Sequence, residues 1–288
     1  DDEMAAAKTG NWFETNSQRG KSNNSAVLVR ETVQPSDFSK LFEFQKEFGE
    51  PGFYFVDDAE YGANPCVEIG LAPYMIVDEV AQAKLAKYGR PDVAIGSRVS
   101  GWQMCNLTTI NAGACDTEES FLACCRAASL LGTMQAAYTN IPYLGAATRV
   151  INERESLLGV SICGILDRPS LLLNPSVLER GAKECLDTNA AIAEHLGIEP
   201  AARITCVKPE GTASLVLGAG SGIHPHHARH YFRRVQAART EPLYQWFKLH
   251  NPHMTETSVW DPETTDVITF PLGNYGEILV GVETARRQ

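Results

Sequence analysis

An α/β fold with largely parallel strand pairing is predicted for this chain of 288 residues. Three observations predict it: short apolar runs of strand length, longer amphipathic stretches that alternate with them, and Gly, Pro or capping residues at the junctions. The first twenty residues are polar, carry few core signals, and should run over a surface. Ser25-Ala26-Val27-Leu28-Val29-Arg30 reads as a short buried strand. Residues 37–48 place Phe38, Leu41, Phe42, Phe44 and Phe48 on a helix that Gly49 and Pro51 end. Gly52-Phe53-Tyr54-Phe55-Val56 is a second strand, followed by a loop rich in Asp, Gly and Asn.

Two later helices carry the clearest local signals. Asp116 with Glu119 forms a capping-box pattern, and residues 121–138 are apolar on most faces, as a buried helix should be. Ser176 with Glu179 repeats the pattern. After it, Leu178, Ala182, Cys185, Asn189, Ile192 and Leu196 form one stripe, and Gly197 stands where a left-handed cap is expected. Residues 158–166, 203–207 and 267–270 are strand-like. No internal repeat, low-complexity tract or linker stands out, so the pattern predicts one domain.

Composition narrows the function. Apolar residues are 44% and charged residues 21%, the balance of a globular chain. Lys plus Arg number 25 against 35 Asp plus Glu, giving a formal charge of -10. Binding to nucleic acid or to an anionic membrane needs clustered positive charge, so both are disfavoured. No apolar run approaches the roughly 20 residues of a membrane-spanning helix. The opening DDEMAAAKTG has neither the basic region nor the apolar core of a signal peptide, and it lacks an initiator Met, which points to a fragment or a processed chain. The eight cysteines therefore read as reduced thiols in a cytosolic setting.

Four segments can carry chemistry. In Asn64-Pro65-Cys66-Val67-Glu68-Ile69 an amide, a thiol and a carboxylate alternate, so an extended loop would point all three to one side. The amide can orient a hydroxylated substrate, the carboxylate can accept a proton, and the sulfur can act as nucleophile or hydrogen-atom carrier. The alternative is a turn holding an ordinary buried thiol. Cys105-Asn106-Leu107-Thr108-Thr109-Ile110-Asn111 places a second thiol 39 residues later, too far for a C-x-x-C site unless the fold brings the two together. Lys208-Pro209-Glu210-Gly211-Thr212-Ala213-Ser214, after a strand, can cradle a phosphate with backbone N–H groups and hydroxyls, although it lacks the P-loop spacing. His224, His226, His227 and His230 invite a metal reading, but no carboxylate stands at ligand spacing, and hydrogen-bonded structural histidines are the preferred reading. The other cysteines, Cys115, Cys124, Cys125, Cys163, Cys185 and Cys206, fall mostly on predicted core faces and read as packing residues.

Taken together, these segments resemble the catalytic subunit of ribonucleotide reductase. N-P-C-V-E-I is similar to that family's finger loop, C-N-L-T-T-I-N to its reducing-cysteine segment, and K-P-E-G-T-A-S to its substrate-phosphate loop, in the same chain order. G-S-G-I-H-P-H-H-A-R-H-Y-F-R-R-V and R-G-K-S-N-N-S-A-V are most similar to adenosylcobalamin-dependent (class II) members. The resemblance covers residues 1–272. It implies part of a ten-stranded α/β barrel: 1–62 as the end of the first half-barrel, 63–72 as the finger loop and 100–272 as the second half-barrel, with an atypical tail at 273–288.

The resemblance also implies roles. Cys66 would carry the thiyl radical that removes the 3′ hydrogen of a ribonucleoside di- or triphosphate, Glu68 would take the 3′-hydroxyl proton, and Asn64 would hydrogen-bond near the sugar. Cys105 would be one of two thiols that reduce the 2′ carbon. Leu107, Pro209, Glu210, Gly211, Thr212 and Ala213 would contact substrate, with no metal ligand. Adenosylcobalamin would be the cofactor and a thioredoxin-like dithiol the reductant, in the cytoplasm of a bacterium or a phage-infected cell. A class I member would instead draw its radical from a metal-bearing partner.

Two departures qualify this. The partner thiol for Cys105 comes from an early strand not found here, and residues 76–88 form an inserted helix between the two cysteine segments. The chain alone is therefore expected to lack turnover and to need an N-terminal half-barrel. Three other readings stand beside it: a glycyl-radical enzyme on a similar barrel, a non-catalytic nucleotide-binding remnant, and a Cys-His hydrolase using His224.

Overall fold

In a computed structural model the chain forms eleven strands and ten α-helices among the described residues, which are 2–222, 224–274 and Val280. Of the tail at 273–288, only Gly273, Asn274 and Val280 fall within them. In chain order, two single-turn helices, α1 (Asp2–Ala5) and α2 (Trp12–Thr15), precede β1 (Ser25–Val29), α3 (Pro35–Phe48) and β2 (Gly52–Val56). Four short strands follow, β3 (Gly62–Ala63), β4 (Gly70–Leu71), β5 (Tyr74–Ile76) and β6 (Arg98–Ser100), with α4 (Glu79–Lys87) before the last. Next come β7 (Asn106–Asn111), α5 (Glu118–Ala136), α6 (Gly145–Glu155), β8 (Leu158–Cys163), α7 (Pro169–Leu172), α8 (Pro175–Leu196) and α9 (Ala213–Leu217). The chain closes with β9 (His230–Ala238), α10 (Pro242–His250), β10 (Thr255–Thr257) and β11 (Thr265–Gly273).

The described residues cluster into two compact units that interleave along the sequence. One comprises Asp1–Ile110, Glu119–Ile162 and Glu179–Pro209, the other Asn111–Glu118, Cys163–Leu178 and Glu210–Gln288.

In the first unit β1 and β2 pair in parallel, joined by α3 across the crossover that parallel strands require. Pro35 opens α3, and Gly49 caps it in the left-handed conformation at φ +80°. β7 pairs with β8, and Val160 of β8 makes a parallel bridge to Thr205. The strand expected at 203–207 is shortened to that bridge and the backbone bonds around it: the Leu158 and Val160 N–H groups donate to the Arg203 and Ile204 carbonyls, and the Cys206 N–H donates to the Val160 carbonyl. Parallel pairing is thus local: the β3–β4 and β5–β6 pairs are antiparallel. Tertiary hydrogen bonding overrode a pattern that read the same for either sense.

Helices α5 and α8 cover this unit, and both differ from their sequence patterns. α5 starts at Glu118, and Asp116 ion-pairs with Arg168 instead of capping it. Phe121, Cys125, Ala128, Gly132 and Ala136 are buried, whereas Leu131, Met134 and Tyr138 on or just beyond the helix are exposed, so it is not buried all round. Along α8 the buried line is Val177, Gly181, Cys185, Asn189 and Ala193, and Leu196 is exposed. The Asn174 side chain accepts from the Ser176 N–H, so Asn174 takes the capping role expected of Ser176. Buried Asn189 donates to Thr133 at 2.9 Å and accepts from the Ala201 N–H, which satisfies a polar group inside an apolar layer. The inserted helix α4 begins three residues later than expected, with Asp78 as N-cap, and packs on α6 around Met75, Val77, Leu85, Val150 and Ile151.

In the second unit β9, β10 and β11 form an antiparallel sheet with β11 central. Asp266 on β11 is 1% exposed and binds Tyr244 at 2.5 Å, Lys248 at 2.7 Å and Arg239 at 2.8 Å, tying α10 to the sheet. A second carboxylate, the partly buried Asp167, accepts from the Gly220 N–H at 2.7 Å and contacts His226 Nε2. Added Cβ atoms at Gly113, Gly164 and Gly220 would each lie within 3.1 Å of that carboxylate, so three glycines leave the room it occupies.

Candidate active site

The Cys66 segment is the tip of a hairpin. β3 and β4 pair over only two rungs, Gly62 with Leu71 and Ala63 with Gly70. Asn64 closes the tip twice: its N–H donates to the Ile69 carbonyl at 3.2 Å, and its side-chain carbonyl accepts the Ile69 N–H at 3.0 Å. The Val67 N–H donates to the Asn64 carbonyl at 2.9 Å, with Val67 at φ +64°. A β-branched residue rarely adopts that left-handed conformation. It also corrects the expectation of three side chains on one side of an extended loop, because a turn between Asn64 and Ile69 cancels the period-two alternation.

The turn sorts the functional groups by exposure. Cys66 is exposed. Both oxygens of the Glu68 carboxylate are buried, and neither has a hydrogen-bond partner among the described residues. Desolvating a carboxylate without compensation is costly, so this group stands ready for a partner that the chain itself does not supply. Asn64 spends its carbonyl on the loop, which leaves its amide nitrogen to meet a ligand.

Neighbouring residues hold the hairpin. Tyr54 on β2 donates its hydroxyl to the Gly62 carbonyl at 2.8 Å, and Asn23 donates to the Pro65 carbonyl at the tip. A groove of about 490 Å³ runs alongside, lined by Lys21, Ser22, Asn23, Tyr54, Asn64 and Pro65 among others. Asn23 and Lys21 belong to the R-G-K-S-N-N-S-A-V segment.

Cys105 stands immediately before β7 and is half-buried. Burial first, and the Glu68 carboxylate second, push its thiol above the ordinary value. The fold therefore brings Cys105 and Glu68 into electrostatic contact across the 37 residues that separate them in sequence. Leu107, half-buried on β7, belongs to the layer beneath: a Cβ added at Gly159 would meet its side chain, Ile69 at 3.0 Å and the Cys206 sulfur at 3.2 Å. Gln103, two residues before Cys105, was missed from the sequence. It accepts from the Ala72 N–H at 2.6 Å, just past the hairpin.

Pro209 is exposed at the end of the first unit. In the second unit Glu210 is buried at φ +53°, Gly211 and Thr212 are exposed, and Ala213 begins the five-residue helix α9. The Thr212 hydroxyl makes no capping bond to that helix. Burial first, then the Glu210 carboxylate, push the Cys163 thiol up to about 11, so it stays protonated at neutral pH. Of the four histidines, His226 is engaged with Asp167, and no group of three metal-ligating side chains occurs among the described residues.

No family model matches the chain. The adenosylcobalamin-dependent ribonucleoside-triphosphate reductase of Euglena gracilis is 25% identical over 282 residues, covering 90% of this chain and 34% of that protein. The enzyme of the same name from Lactobacillus acidophilus is 31% identical over 90 residues, covering 31% of this chain and 12% of its own length. A solved structure of a B12-dependent (class II) ribonucleotide reductase superposes with a TM-score of 0.65 at 20% identity, over 95% of this chain and 39% of that one. The chain has the fold of a class II ribonucleotide reductase, as part of its α/β barrel. It resembles the class II enzymes in sequence as well and spans about a third of the length of the Euglena relative. The expectation of a partial ribonucleotide reductase barrel is met.

Proposed function

We propose that this chain provides the radical and reducing residues for conversion of ribonucleotides to 2′-deoxyribonucleotides. The observation that carries the reading is the Glu68 carboxylate, buried without a partner between an exposed thiol and a half-buried one. A base that must accept a proton from a substrate hydroxyl needs such a vacancy. Burial and Glu68 favour the thiol form of Cys105, the form that can deliver hydrogen.

In this reading the Cys66 sulfur, as a thiyl radical, takes the 3′ hydrogen of the ribose, and Glu68 takes the 3′-hydroxyl proton. One of two thiols, Cys105 and a partner, protonates the 2′ hydroxyl, which leaves as water. The pair then gives a hydrogen to the 2′ carbon and its remaining electron to the sugar as it closes to a disulfide, Glu68 returns its proton to the 3′ oxygen, and Cys66 returns its hydrogen atom to the 3′ carbon. The Asn64 amide nitrogen hydrogen-bonds at the sugar, Leu107 packs beneath, and residues 209–213 receive the phosphates of a di- or triphosphate. Adenosylcobalamin, when bound, supplies the one-electron oxidation of Cys66. Lys21, Ser22, Asn23 and Tyr54, which line the groove beside the Cys66 hairpin, would be the residues to hold it.

The partners belong to the same proposal. A thioredoxin-like dithiol re-reduces the disulfide, and a further half-barrel covers the exposed Leu131, Met134 and Tyr138 of the α5 region. No described helix is long and apolar enough to cross a membrane. The cytoplasm of a bacterium or of a phage-infected cell is the proposed setting, since its reducing pool keeps the cysteines as thiols.

The test is CDP and CTP reduction by the full-length protein with adenosylcobalamin and dithiothreitol, beside Cys66→Ala. Cobalamin-dependent turnover that disappears in Cys66→Ala supports the proposal. Turnover that requires an added iron or manganese subunit moves the radical source to class I, and no turnover in either case returns the chain to a nucleotide-binding role.

A further inference from the structure

The hairpin that carries Cys66 is held by a two-rung ladder, too short to fix its own orientation. Its returning strand, however, ends in a closed polar ring. Gln103 is 8% exposed, and its side-chain carbonyl accepts the Ala72 N–H at 2.6 Å. Its amide donates to Glu155 Oε2 at 2.8 Å. Glu155 sits at the end of α6 with its side chain 16% exposed, and it also binds Arg154 at 2.5 Å and Arg203 at 3.2 Å. Arg154 completes the circuit by donating to the Ala72 carbonyl at 3.0 Å and to the Tyr74 carbonyl at 2.8 Å. Both backbone polar groups of Ala72 are thus held by side chains that converge on one carboxylate.

The ring ties the hairpin foot to the two residues that lead into Cys105. Main-chain atoms on one side and a short side chain on the other leave little slack. We infer that Gln103, oriented by Glu155, is a positioning residue that sets the Cys66 hairpin, and Glu68 with it, against Cys105. The inference rests on the roles proposed for those three residues. Reacting groups misplaced by about 1 Å can cost a hundredfold in rate, so the orientation of a two-rung hairpin is worth fixing from outside.

The experiment compares Gln103→Ala, Gln103→Glu, Glu155→Gln and the double exchange Q103E/E155Q in the full-length protein with adenosylcobalamin, dithiothreitol and ribonucleotide. Alongside, hydrogen exchange is followed across residues 62–72. Gln103→Ala should lower kcat about 10- to 100-fold, with KM within about twofold of the parent. It should also exchange about tenfold faster at the Ala72 amide, as expected for one lost hydrogen bond. Gln103→Glu alone sets two carboxylates face to face and should be as impaired. The double exchange restores one donor and one carboxylate to the pair and should recover kcat to within about threefold.

A purely structural role would lower the folded fraction and leave kcat per folded molecule unchanged, which would overturn the inference. So would failure of the double exchange to recover. If Cys66→Ala keeps turnover, or the parent has none, the proposed function fails, and the exchange rates at residues 62–72 still decide whether Gln103 holds the hairpin. If Cys66→Ala is inactive while Gln103→Ala is fully active, only the positioning role fails.

Discussion

At Glu68 stability and chemistry oppose each other. A buried carboxylate without a donor destabilises the fold, and a residue that serves only the fold would be replaced by something cheaper to bury. Glu68→Gln should therefore leave the unfolding midpoint unchanged or higher, while kcat for ribonucleotide reduction falls about 10²- to 10⁴-fold through loss of the base. A variant with lower stability and near-normal kcat would show that the carboxylate belongs to the scaffold. Cys66, Glu68, Asn64 and Cys105 could be singled out as candidates from the sequence because residue type and local order are read there directly. The contrast between an exposed Cys66 and a buried Glu68 was not, because it depends on Val67 at φ +64°, and nothing in a valine announces a left-handed turn. Gln103 was invisible for a different reason. Its partners Ala72 and Glu155 lie 31 and 52 residues away, and an isolated glutamine carries no pattern.

Among the elements, those with both ends marked were read closely. Residues 52–56 form β2 as predicted, and α3 ends at Gly49 because glycine adopts φ +80° without cost. α5 and α8 were recognised as helices, and the α8 stripe was met in part: Cys185 and Asn189 are buried and Leu178, Ala182 and Ile192 partly so, whereas Leu196 is exposed and the packed face turns to include Gly181 and Ala193. Close approach to α5 selects small residues there. A Cβ at Gly181 would lie 2.7 Å from the Phe121 ring, which is 1% exposed. Gly181→Ala should destabilise the protein in urea unfolding by up to about 2 kcal/mol, because overpacking of about 1–3 kcal/mol is offset only in part by the helix-propensity gain of about 1 kcal/mol. Adding Phe121→Leu should cost less than the two single changes summed, since it makes the missing room. Strict additivity would mean that the two side chains do not meet.

For the whole molecule, the response to acid follows from where the carboxylates are held. Burial raises the Asp266 and Asp167 carboxyls, but stronger hydrogen bonds hold both below the usual carboxylate range. Lys248, Tyr244 and Arg239 supply them at Asp266, and His226 with the Gly220 N–H at Asp167. Glu153, on α6, is lowered in the same way by Tyr88, Arg149 and Lys84. A carboxylate whose folded pKa is depressed contributes stability that is fully present above its unfolded pKa, about 4, and is lost as pH falls toward the folded value. Stability should thus be nearly flat from about pH 5 to 7 and should fall steeply below about pH 4. The chain also loses its formal charge of -10 as it is acidified, so a single profile mixes local and global effects. Comparison with Asp266→Asn separates them, because both proteins share the global change. At pH 7 the variant should be less stable by about 2 to 3 kcal/mol, the scale of a buried carboxylate with charge-assisted hydrogen bonds. Below pH 4 that gap should narrow by about 1.4 kcal/mol per pH unit, because Asp266 then binds a proton more readily unfolded than folded. Urea midpoints at pH 7, 4 and 3 measure it. A gap that stays constant with pH would place the role of Asp266 in packing instead of charge.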